Sequence, residues 1–322
     1  MRNEKDNVNV NKLNNKNKMN NVQVNLTFVE RVRTKLKLLV SKDELFFTKR
    51  CNSAIDLTME FAKASEAQEL YIQDQGGWIH YEKLGKKYSL NEHRLKTKNG
   101  IIVEEELQNL KAVNNVNKSR VVLINSLPGY SFEEGMKKIS REIKDKKLLL
   151  INDCCGTIGS DQAKYGDFAV CSFGKAKPLS IGCGGFISYD KEILKNLDPL
   201  QMENFEEELI QEEINALKII DFVKLDQEVD KLEKKLEFWK TLSNNLKEEL
   251  VNAGYVVLNK GGQGINVIVS FESLTDKEKS FQKEKLIKYL EERKLEYTLC
   301  PRYIRSNVEG ISVEVKRVSF IR

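Results

Sequence analysis

The sequence predicts an α/β protein, with a mostly parallel central sheet flanked by helices and a small C-terminal α+β domain. Three observations predict it. Apolar runs at 121–125 and 148–152 flank an amphipathic stretch, 131–144, which is the strand–helix–strand alternation of a buried parallel sheet. Residues 203–249 hold neither Gly nor Pro and repeat apolar residues at helical spacing. Beyond Gly254 the pattern changes to short strands around a Gly261-Gly262 turn, a charged helix and a last strand.

The bulk properties bound the function. A chain of 322 residues, 40% hydrophobic, can build one large or two ordinary domains. No run reaches the roughly 18 apolar residues of a membrane span, and the start is polar rather than signal-like. A cytoplasmic protein with no membrane partner is expected. The net charge of +5 arises from 53 basic and 48 acidic residues. Such a mixed surface argues against a nucleic-acid partner. Six cysteines without a CxxC, beside only two histidines, read as small buried hydrophobes, and no metal is expected. Cys154–Cys155 stands apart because it directly follows Asp153.

Taken in order, residues 1–25 contain ten asparagines and read as a disordered or poorly ordered start. Phe28, Val29, Val32, Leu36 and Leu39 give a helix over 28–40. Asn52 or Ser53 is suited to cap a helix over 54–67, whose N-terminus could hold a phosphate. A short strand at 70–72 leads to Gly76-Gly77-Trp78, a tight turn that delivers a flat ring. His80 and His93 read as surface or satisfied core residues. Residues 103–110 are a short helix or a strand–helix boundary. The strand at 121–125, a Leu127-Pro128-Gly129 turn, the helix over 131–144 and the strand at 148–152 follow. Further strands are expected at 168–171 and 185–189. The stretch 203–249 is one long helix or two in series. Strands at 254–258 and 265–271, a helix over 277–294 and a strand at 313–321 complete the chain. The implied division is a large α/β domain, 26–235, and a small α+β domain, 236–322.

The chemistry concentrates between residues 148 and 187. One apolar run ends on Asp153 and another on Ser172; Lys177 follows, then Gly182, Gly184 and Gly185. Asn152-Asp153, Gly166-Asp167, Ser172-Phe173 and Lys177, with glycines five, seven and eight residues beyond it, resemble the DegT/DnrJ/StrS aminotransferases. These are fold-type I pyridoxal-phosphate (PLP) enzymes, many acting on nucleotide sugars. The register selects Lys177; a cysteine-desulfurase-like Ser-x-His-Lys would select Lys175, but Gly174 stands where the histidine belongs.

The resemblance implies a fold-type I PLP-transferase-like architecture, PLP as cofactor and a homodimer. It implies Lys177 as the lysine that condenses with the cofactor aldehyde and moves the donor's proton. Asp153 would keep the pyridine nitrogen protonated. Ser172 and the helix start Asn52-Ser53-Ala54 would bind phosphate, and Trp78 would stack on the ring. The implied reaction passes an amino group from an amino acid, usually glutamate in the family, to a keto group on a small molecule, possibly a nucleotide sugar. Gly156 stands where the family has Gln or His, and Asn152 where it has an acid. The family's Asn/Arg motif before the long helix has no match in 200–210. These departures leave open a divergent homologue with a regulatory, scaffold or sulfur-transfer role, the last through Cys154, Cys155 or Cys183.

Overall fold

The computed structural model describes residues 27–111 and 120–320; the Asn-rich stretch 1–25 lies outside them. In chain order, helix α1 (27–40) leads into strand β1 (Glu44–Thr48), helix α2 (Cys51–Ala64) and strand β2 (Glu69–Gln73). A 3-10 turn (Ile79–Lys83) and helix α3 (Leu84–Tyr88) precede strand β3 (Asn91–Leu95). The hairpin β4 (Thr97–Lys98) and β5 (Ile101–Ile102) and helix α4 (Glu104–Gln108) come next. Then follow β6 (Arg120–Asn125), α5 (Met136–Asp145), β7 (Leu149–Asp153), β8 (Phe168–Ser172) and β9 (Gly185–Tyr189). Helices α6 (Pro199–Ala216), α7 (Phe222–Asp230) and α8 (Leu232–Asn252) lead to β10 (Val256–Val257), β11 (Val267–Ser270), α9 (Asp276–Glu292), β12 (Tyr297–Arg302) and β13 (Ser306–Val313).

Seven strands form one sheet in the order β1-β9-β8-β7-β6-β2-β3. Strands β3, β2, β6, β7 and β8 run parallel, β9 is antiparallel to β8, and β1 is antiparallel to β9. Helices cover both faces. Phe61 of α2 and Phe205 of α6 pack on Phe168 and Tyr189 of the sheet. Ile139 and Ile143 of α5 bury Val122, Ile124 and Leu150 from the other side. Each such side chain contributes about 1.5–3 kcal/mol on burial. Because β6 to β9 are covered on both faces, they appear in the sequence as continuous apolar runs. The second sheet, β10-β11-β13-β12, is antiparallel throughout. It buries Val267, Val269, Ile311 and Val313 in one cluster with Leu286 and Leu290 of α9 and Leu246 and Leu250 of α8.

The structure corrects four local readings. First, α2 begins at Cys51, so Asn52 and Ser53 lie in its first turn; its N-cap is Arg50, whose side chain makes no cap. The start is set early because Thr48 pairs with Gly185 and Arg50 bridges Gly184. Second, the stretch 203–249 holds parts of three helices. Asp221 starts α7 by accepting from the Lys224 N–H at 3.0 Å, a break that needs neither Gly nor Pro. Third, the helix expected from 131 starts at Met136, because the preceding Glu134 bonds back to the Ser126 carbonyl through its N–H at 2.9 Å. Fourth, the last strand is β13, which ends at Val313 where a strand was expected to begin. A 3-10 turn (Val315–Arg317) follows it.

Candidate active site

A cavity of about 430 Å³ opens at the C-terminal ends of three neighbouring strands, where Asn125 ends β6, Asp153 ends β7 and Ser172 ends β8. Open α/β sheets present ligands at this edge, since parallel strands aim their last side chains and the following loops to the same side. The helix start at Arg50, Cys51 and Asn52 lines one wall, and Ile304, Arg305, Lys316 and Arg317 from the C-terminal unit line another.

Asp153 forms part of the floor. It is 3% exposed. One carboxylate oxygen accepts from the Tyr81 hydroxyl at 2.5 Å and the other from the Cys155 N–H at 3.0 Å. A buried carboxylate held by two donors has a fixed direction. Burial first, and then the neighbouring Asp153 charge, push the Tyr81 phenol well up, so it serves as a donor.

Lys177 is half-buried and its ammonium donates to the Tyr130 hydroxyl. Burial works to lower the Lys177 pKa, but Tyr130, Cys155 and Asp153 more than offset it and the net shift is upward. Burial also pushes Tyr130 up, while Lys177 and Arg305 pull against it. The Tyr130 ring lies against three cations: Lys177 Nζ at 4.8 Å from its centroid, Arg305 at 5.2 Å and Lys316 Nζ at 4.3 Å. Glu314 beneath them accepts two Arg305 hydrogen bonds, at 2.7 and 2.9 Å, and one from Lys316. Burial opposes the Glu314 charge, but Lys316 and Arg305 more than offset it and hold the carboxyl well below its usual range. Burial first, then Arg305, lower Lys316 to about 7.

At the helix start, Asn52 Oδ1 accepts from Trp78 Nε1 at 2.8 Å, which fixes the indole over the cavity mouth, where Trp78 is 39% exposed. The Lys177 Nζ stands 5.6 Å from the indole centroid. Ser172 Oγ accepts from the Gly174 N–H at 3.1 Å, closing the turn that carries Lys175 to the rim. Asn52, Trp78, Asp153, Ser172 and Lys177 therefore meet in one cavity. Ser53 and Ala54 do not line it; their N–H groups donate to the Arg50 carbonyl at 3.0 and 3.3 Å, and Ala54 is fully buried. Sequence reasoning missed Tyr81, Tyr130, Arg305 and Lys316, which reach the site from distant turns without a local motif. Cys51 is buried, as expected of a small hydrophobe, and also borders the cavity.

The departures from the resemblance have physical causes. A side chain at Gly156 would begin 2.7 Å from Leu127 Cδ2, so the packing admits none. Asn152 donates its amide to the Gln162 and Tyr165 carbonyls, both at 2.8 Å, a task an ionised acid cannot perform. At Gly185, a Cβ would fall 2.4 Å from the Cys171 carbonyl oxygen, so the close pairing of β8 and β9 requires this glycine.

One metal-type cluster borders the same floor: a ligating atom from each of Cys51, Asp153 and Cys155 lies within 4.8 Å of the others. Both Asp153 oxygens are already engaged. The two thiols lie 3.5 Å apart and are pushed well up, Cys51 by its hydrogen bond to Cys155 and by burial, Cys155 chiefly by burial. That combination suits a neutral dithiol better than a cation site.

Comparison with known proteins fits this architecture. DndA from Streptomyces lividans superposes with a TM-score of 0.68 at 12% identity, covering 92% of this chain and 90% of that one. A putative sugar aminotransferase, Spr1654 from Streptococcus pneumoniae, gives 0.67 at 9% identity, covering 90% and 86%; its PLP form also matches. A NifS-like protein gives 0.63 at 16% identity, covering 92% and 84%. The chain has the fold of the type I PLP transferases. A family model described as the MJ1341 family C-terminal domain matches residues 230–321. No curated protein matches. Among the described residues, no helix is long and apolar enough to cross a membrane.

Proposed function

We propose that this chain is a PLP-dependent, aminotransferase-like enzyme and a divergent relative of the DegT/DnrJ/StrS family. It moves an amino group from an amino acid, with glutamate the first donor to test, to a keto group on a small molecule, possibly a nucleotide sugar. The observation that carries this reading is the convergence of the Asp153 carboxylate and the Lys177 amine on one cavity at the strand ends, beside the Trp78 ring.

The residues present fit the cofactor. Asp153, held by Tyr81 and the Cys155 N–H, offers a buried anion to the pyridine nitrogen. Lys177 offers the amine, with the Tyr130 hydroxyl beside it to take or return a proton. Ser172, Arg50 and Asn52, with the α2 N-terminus, offer hydroxyl, cation and dipole to the phosphate. When bound, PLP supplies an electron sink for the pair left on the donor carbon as its proton departs. Lys177 is the group within reach to hold that proton. Arg305, Lys316 and Arg317 form a cationic wall suited to the carboxylate of a donor.

The enzyme works as a cytoplasmic homodimer in this reading. Exposed Ile210, Ile214, Ile219 and Val223 offer an apolar surface for a second copy. The domains are 26–235 and 236–322. An absorbance spectrum with added PLP, followed by borohydride reduction and mass mapping of the modified lysine, tests the proposal. The expected label sits on Lys177 and is absent in Lys177→Ala; protein that gives no spectral change sinks it.

A second reading, sulfur transfer by a divergent homologue, is favoured by Cys155 in the cavity wall. Cys154, by contrast, is fully buried with its Sγ bonded to the Val170 carbonyl, and Cys183 bonds the Ile219 carbonyl. Persulfide formed on Cys155 from cysteine as donor would support this reading; no persulfide on any cysteine would dismiss it.

A further inference from the structure

Cys51 and Cys155 are 104 residues apart in the chain, yet their sulfurs stand 3.5 Å apart and both thiols are free. Cys51 opens α2, so its backbone is fixed by the helix start and by the β1–β9 pairing. Cys155 lies in the turn after β7, and its N–H holds Asp153. Both border the cavity, at 8% and 5% exposure, which a small oxidant can reach. Cys154 and Cys171 are nearby but fully buried and do not border it.

We propose that Cys51 and Cys155 are a redox modification site, closing to a reversible disulfide at the cavity floor that opposes occupancy of the cavity by a cofactor. A disulfide draws the sulfurs to about 2.05 Å. With Cys51 fixed in the helix, the closure is taken up by the Cys155 turn, whose N–H then leaves its position on Asp153. In the other direction, an occupant of the cavity covers both sulfurs. The antagonism rests on the PLP reading above; the disulfide itself does not.

The oxidant is a peroxide. One thiol first gives up its proton, a slow step because both thiols are pushed up. Its thiolate sulfur attacks a peroxide oxygen, the O–O bond breaks, and the departing hydroxide takes a proton and leaves as water, with a sulfenic acid on that cysteine. The second thiol sulfur attacks the sulfenic sulfur, the S–O bond breaks, and its oxygen departs as a second water. Two thiols lose two hydrogens in all, and one peroxide becomes two waters. A dithiol reductant reverses the step by exchange.

The test uses the full chain, reduced and desalted, then treated with stoichiometric hydrogen peroxide with and without PLP. Non-reducing peptide mapping reads the product. The expected result is a peptide pair joined through Cys51 and Cys155, lighter by two hydrogens, cleaved by dithiol and formed more slowly with PLP present. The oxidised protein binds PLP at least about tenfold more weakly than the reduced protein, by absorbance titration. Cys51→Ser makes PLP binding insensitive to this treatment. A Cys154–Cys171 or Cys155–Cys171 link, or peroxide-treated cysteines left unlinked, overturns the proposal even if PLP binds normally. A Cys51–Cys155 link in protein that never binds PLP leaves the modification site standing and removes the antagonism together with the PLP reading.

Discussion

The Tyr81 hydroxyl donates to the buried Asp153 carboxylate at 2.5 Å, joining the 3-10 turn after Gly76-Gly77 to the end of β7. This one bond ties the loop that carries Trp78 to the acid on the cavity floor. Tyr81→Phe keeps the ring and removes the donor. One carboxylate oxygen then loses its donor while the Cys155 N–H still holds the other, which costs about 1–3 kcal/mol. Urea unfolding is expected to show that loss with an unchanged slope, and PLP titration a weaker complex. A variant as stable as the parent would show that this bond contributes nothing net.

Lys316 makes anion binding proton-linked. Burial first, and then the charges of Arg305 and Lys177, oppose its charge, and Glu314 only partly compensates, so its pKa is lowered to about 7. An anion entering the cavity favours the charged form and raises that pKa. The complex therefore takes up a proton where the free protein has lost it, and affinity for sulfate, a dianion throughout this range, falls as the pH rises from about 7 towards 9. Calorimetry in two buffers of different ionisation heat is expected to show the uptake. Lys316→Arg, which stays charged, is expected to abolish it. Buffer-independent heats in the parent protein would refute the linkage.

Much of the seven-stranded sheet was legible, for identifiable reasons. Strands β6 to β9 announce themselves because two helical layers force apolar residues on both faces. Strand β3 does not: Asn91, His93 and Arg94 are exposed at the sheet edge, so its sequence carries no apolar pattern. Lys177 and Asp153 could be read because they are framed by glycines and a strand end. Arg305 and Lys316 could not, because they enter the cavity from the turns before and after β13 and resemble ordinary surface cations until Glu314 gathers them. The strand expected at 313–321 failed for the same reason. Val313 and Val315 satisfy an apolar alternation, but Glu314 between them and Lys316 after them are buried rather than exposed.

Gly129 couples the turn after β6 to the C-terminal unit. It adopts φ +60°, and a Cβ there would lie 2.4 Å from the Arg305 carbonyl oxygen. Gly129→Ala combines a left-handed conformation with a backbone collision, for an expected loss of about 2–3 kcal/mol. Relief of the collision moves Arg305, so phosphate binding is expected to weaken together with stability. Thermal unfolding and a phosphate titration measure the two effects. Loss of stability with phosphate affinity intact would separate Gly129 from the cationic wall.

Glu134 sets a pH dependence of stability beneath the site. Its Oε1 accepts from the Ile102 N–H at 2.8 Å and from Gln73 Nε2 at 3.4 Å, and Gln73 in turn accepts from the Asn125 N–H at 2.8 Å. Burial is the largest influence and pushes Glu134 up to about 7 from its ordinary 4.5. The folded protein thus holds a proton that the unfolded chain releases. Below 4.5 both states are protonated and the full benefit is present; as the pH rises towards 7 the benefit is lost. The total is on the order of 3 kcal/mol. Glu134→Gln keeps an acceptor for Ile102 and cannot ionise. Denaturant midpoints measured from about pH 4.5 to 8 are expected to fall for the parent and to fall less for the variant, so that the variant is the more stable protein at the alkaline end. Parallel curves would mean that Glu134 ionises in the folded protein as freely as in the unfolded one.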